Sequence, residues 1–133
     1  DLLQNPRNIH SAIDTLQESD IRVSLFIDPD KRQIDAAVRM DAYAVEFHTG
    51  DYALAKNIAQ KKKEFERLRR ALDFARTAAL VVNAGHGLDY DNMKPLIKLK
   101  GFNEFNIGYS IITRAQWVGL KQAVQEMRHL IKK

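Results

Sequence analysis

The chain has no cysteine among its 133 residues. Disulfides, thiolate metal sites and cysteine nucleophiles are therefore all excluded. Any metal would have to rest on imidazole and carboxylate, and His48, Glu46 and His86 show no spacing that identifies a metal site, so none is expected. Long apolar runs are missing as well. Nothing approaches the roughly 18 consecutive apolar residues of a membrane span, and no basic-plus-apolar leader is present. A soluble, cytoplasmic protein without membrane partners is the expectation. With three prolines and six glycines, the sequence offers no linker or low-complexity segment, so residues 1–133 are expected to belong to one domain or one piece of a domain.

Excess charge is small too, 21 basic against 17 acidic residues for a net +4. It is uneven, because Lys61, Lys62, Lys63, Arg67, Arg69 and Arg70 fall within ten residues. A run of this kind could grip a phosphate backbone. Here Glu64 and Glu66 are interleaved with it, and Phe65, Leu68 and Leu72 recur at helical spacing, the pattern of the solvated face of a packed helix. No nucleic-acid partner is expected. If there were one, binding would fall steeply with salt.

What is present is alternation. Ile21–Ile27, Ala44–His48, Ala79–Asn83 and Glu104–Ile107 are β-branched or aromatic and end in Asp, Gly or Asn, which predicts strands. Helical periodicity covers Asn8–Glu18, Asp30–Met40, Tyr52–Arg76, Asp89–Leu99 and Ala115–Ile131, the last with Trp117, Leu120, Val124, Met127 and Ile131 as its apolar stripe. The order αβαβαβαβα predicts an α/β fold with a parallel sheet.

The strand faces narrow this further. Side chains alternate, so Glu46 and His48 share a face opposite Val45 and Phe47, Glu104 and Asn106 lie opposite Phe105 and Ile107, Asn83 opposite Leu80 and Val82, and Ser24 opposite Val23, Leu25 and Ile27. One apolar face and one polar face is the pattern of a (β/α) TIM-type barrel wall rather than of an open sheet covered on both sides. Four strands are only half of such a barrel.

Each strand ends in an unusual loop: FIDPD, EFHTGDY, NAGHGL and NIGYSI. In a barrel these converge on one mouth. Gly85, Gly87 and Gly108 taken singly read as makers of tight turns. Taken together, with Gly108 leading into a helix, they could present backbone N–H groups to a phosphate. His86 stands between two glycines with a side chain suited to proton transfer near neutral pH. Glu46 requires a partner if it faces inward, and Arg22 or a ligand could supply one. Asp30 and Asp89 read as helix caps, and Thr49 and Gly50 as a turn.

IRVSLFIDPD, VEFHTGDYA, VNAGHGLDYDN and FNIGYSIITRA, in this order, resemble the C-terminal half of the pyridoxine 5′-phosphate synthase family of (β/α)8-barrel enzymes in vitamin B6 biosynthesis. The resemblance runs over essentially the whole chain. It implies condensation of 3-amino-2-oxopropyl phosphate with 1-deoxy-D-xylulose 5-phosphate to pyridoxine 5′-phosphate, phosphate and water, with no organic cofactor. It implies that His86 is the proton donor and that Gly87, Gly108 and Tyr109 hold the aminoketone phosphate. Tyr109 occupies a position where the family usually has histidine. Glu46, His48 and Asn83 are expected on the inner wall. The family's remaining catalytic groups belong to strands absent here, so the chain is expected to be inactive alone and to need a missing N-terminal half-barrel, in a homo-oligomer. The other expectation is a non-catalytic half-barrel that binds phosphate ligands or self-associates.

Overall fold

The computed structural model describes residues 1–132. Helix α1 (Pro6–Gln17) precedes strand β1 (Ser24–Ile27), followed by α2 (Lys31–Arg39), β2 (Ala44–His48), α3 (Gly50–Ala53), α4 (Ile58–Thr77), β3 (Val81–Gly85), α5 (Met93–Leu96), β4 (Glu104–Asn106), α6 (Tyr109–Val118) and α7 (Leu120–Ile131). All strand pairs are parallel, in the order β1-β2-β3-β4. The chain is thus an α/β half-barrel wall whose outer strands each pair with one neighbour.

Register fixes the two faces. Leu25, Val45 and Val82 form one row toward the helices, and Ile27, Phe47, Ala84 and Phe105 form the next. Val45 and Phe47 are fully buried together with Ile34 of α2 and Leu68, Leu72 and Ala75 of α4. The opposite face carries Phe26, Glu46, Asn83 and Glu104 in one row and His48, Gly85 and Asn106 in the row above. Ser24, Ala44 and Val81 form the row below, and in the two upper rows the one apolar side chain is Phe26, which stands 54% exposed. The reading of β1 placed only Ser24 there, so the alternation is right and the inner apolar residue is new.

Capping explains where helices start. Asp30 accepts the N–H of Arg32 at 2.9 Å and opens α2. Asn57 accepts the N–H of Gln60 at 2.9 Å, and the Gln60 side chain returns to the N–H of Lys56. These two contacts restart the chain as α4, so the helix expected over Tyr52–Arg76 is two helices. The one expected over Ala115–Ile131 also divides, because Gly119 takes φ 83° between α6 and α7. Of the expected stripe, Trp117, Leu120 and Val124 are exposed, while Met127 is buried and Ile131 packs against the core. Only Met93–Leu96 is helical within Asp89–Leu99. Asp89 uses its carboxylate on the N–H groups of Asp91 and Asn92 in a turn that precedes α5.

Helix ends at the opposite rim use left-handed residues. Ala79, just past the C-cap of α4, has φ 59°, a conformation that costs a residue with a Cβ about 1 kcal/mol or more relative to glycine. Ala79→Gly is therefore expected to stabilise the chain by about 0.5–1 kcal/mol, read as an increase in urea midpoint. A lower midpoint would show that the Ala79 methyl group contributes more than its backbone costs.

Candidate functional site

The C-terminal ends of β2, β3 and β4 bring the expected residues to one rim. Glu46 lies level with Asn83 in the register, and His48 lies level with Gly85. Asn83 is buried, and its Oδ1 receives the Asn103 amide at 3.3 Å.

Glu46 does not pair with Arg22. The Arg22 guanidinium, two residues before β1, donates to the Tyr43 hydroxyl at 3.0 Å and lies over its ring. Glu46 instead leans across β3 to accept the Asn106 side-chain amide at 2.6 Å. Its path crosses Gly85, where a Cβ would collide with Glu46 Oε1 and come within 3.2 Å of Asn106. Gly85 is therefore required for space. It is not among the residues with positive φ, contrary to the expectation that it supplies conformational freedom there.

That freedom is used one residue later. His86 itself adopts φ 81°, and Gly87 follows at φ 74°. Positive φ is unusual for a residue with a side chain and persists only when neighbours enforce it. Three side chains reach four successive carbonyls of this loop, the single Thr49 hydroxyl proton being shared between two of them. Thr49 Oγ lies 2.7 Å from the carbonyl of Gly85 and 2.6 Å from that of His86. Asn92 donates to Gly87 at 2.9 Å and Ser110 to Leu88 at 2.9 Å. The Tyr52 hydroxyl in turn holds the Asn92 carbonyl at 2.7 Å. Burial, with the nearby Asp89 charge, raises the Tyr52 hydroxyl above its ordinary value, so it stays a neutral donor.

The imidazole of His86 is exposed at the rim. Its ring lies 4.6 Å from that of His48. Phe26 meets His48 edge-on at 5.4 Å, and Asp28 Oδ1 lies 3.7 Å from His48 Nδ1.

Across from this loop stands the N-terminus of α6, ten residues long, with Gly108 at its N-cap and no side-chain cap. Its first intrahelical bond runs from Ile112 to Gly108, so the N–H groups of Tyr109, Ser110 and Ile111 head the helix and suit an anion. A Cβ at Gly108 would meet nothing within 4 Å. Gly87, Tyr109 and Ser110 line a common cleft of about 540 Å³. Tyr109 is 87% exposed, so its side chain is not committed to the core. Arg114 lines the cleft but is held by Glu126 through two hydrogen bonds of 2.8 and 3.2 Å.

The basic run of α4 is largely occupied internally. Arg67 pairs with Asp51 and Glu64, Arg69 pairs with Glu66 and Asp73, and Lys61 lies over the Tyr52 ring. Among the described residues, no group of three or more His, Asp or Glu side chains could hold a metal ion, and no helix is long and apolar enough to cross a membrane.

His86, Gly87, Gly108 and the residues expected on the inner wall thus lie at the strand ends where the sequence placed them. Sequence reasoning passes over Thr49, Asn92, Asn106 and Ser110, which hold them. Asn106 carried a signal in sharing strand parity with Glu104. The other three are ordinary turn residues in sequence, and only the tertiary contacts distinguish them.

Comparison with known proteins follows the same lines. The profile of a family described as pyridoxal phosphate biosynthesis protein PdxJ matches residues 1–133. A pyridoxine 5′-phosphate synthase of Legionella pneumophila (strain Corby) is 47% identical over 131 residues, covering 98% of this chain and 53% of that protein. One from Magnetococcus marinus is 46% identical over 132 residues, covering 99% and 54%. The chain spans about half the length of the curated relatives it matches.

Proposed function

Because the chain belongs to the pyridoxal phosphate biosynthesis protein PdxJ family, we propose that residues 1–133 are the C-terminal half of a pyridoxine 5′-phosphate synthase barrel. This half would carry the subsite for 3-amino-2-oxopropyl phosphate and the proton donor. The observation that supports it most is the placement of His86, Gly87 and the uncapped start of α6 on one rim of a four-stranded parallel wall.

In this reading the N–H groups at Gly87, Gly108 and Tyr109 hold the phosphate. The aminoketone nitrogen is then positioned against the carbonyl of 1-deoxy-D-xylulose 5-phosphate. His86 gives its proton to a departing hydroxyl, so the carbon–oxygen bond breaks and the oxygen leaves as water. The second substrate and the proton acceptors belong to the N-terminal half-barrel, and the chain is inactive without it. Two features support the need for that half: β1 and β4 each have one strand neighbour, and Phe26 is exposed on the inner face. Ile112, Trp117 and Leu120, exposed on α6 and α7, suit a homo-oligomer. The cell location in this reading is the cytoplasm.

A test follows from the residue that departs from the family pattern. Tyr109 is the first residue of α6, a position where proline is tolerated because its missing N–H has no intrahelical partner. Tyr109→Pro therefore deletes the Tyr109 N–H and also disfavours the helical backbone of Gly108 before it, so both donors are disturbed and inorganic phosphate should bind about tenfold or more weakly. Tyr109→Ala, which keeps the N–H, should change affinity by less than about threefold. Chemical-shift titration with phosphate, followed at Gly87, Gly108 and Ser110, measures both. Equal affinities for the two variants would place phosphate recognition away from this backbone.

A further inference from the structure

The segment His48-Thr49-Gly50 does more than turn the chain after β2. Thr49 is 1% exposed. Its hydroxyl lies between the carbonyls of Gly85 and His86 and shares its one proton between them, and its N–H donates to the Gly85 carbonyl at 2.9 Å. These two carbonyls belong to the peptide planes on either side of the His86 Cα, and the orientation of those planes sets its φ and ψ. One buried side chain thus grips both peptides that hold His86 at φ 81°.

The imidazole is supported by the residues on either side of Thr49. A Cβ at Gly50 would fall 2.6 Å from His48 Cε1 and 3.2 Å from His86 Cδ2, so both rings pack over the bare Cα of Gly50. The His48 ring lies against that of His86 at 4.6 Å with a 42° tilt. Phe26 braces His48 from β1, and Asp28 lies near its Nδ1.

We infer that this segment is the positioning device of His86: Thr49 sets its backbone, Gly50 leaves its floor open and His48 forms its wall. The inference rests on the function proposed above only in giving His86 a proton to transfer. Thr49 is buried and His48 packs on the His86 ring, so both act through His86. A displacement of about 1 Å at a reacting group can cost on the order of 10²-fold in rate, so the grip has kinetic weight.

Thr49→Val keeps the shape and removes the hydroxyl, whereas Thr49→Ser keeps the hydroxyl. In the barrel completed by an N-terminal half, Thr49→Val is expected to lower kcat by about 10²-fold with KM for the aminoketone phosphate changed by less than about threefold. Thr49→Ser should stay within about threefold of the unsubstituted protein in both. In this chain alone, ring-to-ring nuclear Overhauser effects between His48 and His86 should survive in Thr49→Ser and vanish in Thr49→Val. Undiminished kcat and persistent ring contacts in Thr49→Val would overturn the inference.

His48→Gln probes the same device at a half-buried position and spares the buried hydroxyl. It should lower kcat about tenfold at unchanged KM, and an unchanged kcat would remove His48 from the device. A wild-type barrel that makes no product, while the ring contacts depend on the Thr49 hydroxyl, would contradict the proposed function and leave the positioning device standing.

Discussion

Replacing His86 by asparagine in the completed barrel lowers turnover by about 10²- to 10⁴-fold, the span over which positioned acid–base groups contribute. Inorganic phosphate should still bind within about threefold of the unsubstituted protein, since its donors are backbone N–H groups of the neighbouring loop and α6. Asparagine is suited to the test because it tolerates the left-handed backbone that His86 occupies at φ 81°, so the loop keeps its shape when the imidazole goes. Steady-state kinetics and a phosphate titration on the same preparation separate the two effects. Turnover unchanged with phosphate still bound would remove His86 from the chemistry.

Phe47→Ala acts on the helix-facing side of the neighbouring strand β2. Phe47 is fully buried, lies between Ile27 and Ala84 in the register and meets Phe102 edge-on at 6.5 Å. Truncating such a phenylalanine costs about 3–5 kcal/mol. Domain stabilities are about 5–15 kcal/mol, and small chains with incomplete burial fall at the low end. The variant is therefore expected to lose a third or more of its stability and to populate unfolded chain at room temperature. Urea denaturation of the variant against the wild type measures the loss. A change below about 1 kcal/mol would mean that the helix-facing row is not the core.

These two predictions separate what was legible from what was not. The polar and apolar faces follow from period-two alternation, and the parity of Glu46 with His48 and of Val45 with Phe47 places all four on their observed sides. The glycine-bracketed histidine and the loop before α6 stand out in the sequence because few other patterns combine those residues at strand ends. Helix boundaries were less legible. Gly119 interrupts an apolar stripe that continues on either side of it, and Asn57 restarts a helix inside a helical pattern, since periodicity is insensitive to a single cap. Glu46 shows the deeper limit. That it requires a partner is a statement about burial and can be made from sequence. That the partner is Asn106, reached across Gly85, depends on the alignment of three strands. Thr49 was hidden for the same reason: its two acceptors are 36 and 37 residues away.

The central claim is that these residues form the donor and phosphate half of a synthase barrel. The most direct test joins this chain behind the N-terminal half of the Legionella pneumophila relative and assays for pyridoxine 5′-phosphate from 3-amino-2-oxopropyl phosphate and 1-deoxy-D-xylulose 5-phosphate. The prediction is product from the joined protein and none from this chain alone. A joined protein that folds cooperatively yet makes no product, beside an active Legionella enzyme under the same conditions, would contradict it.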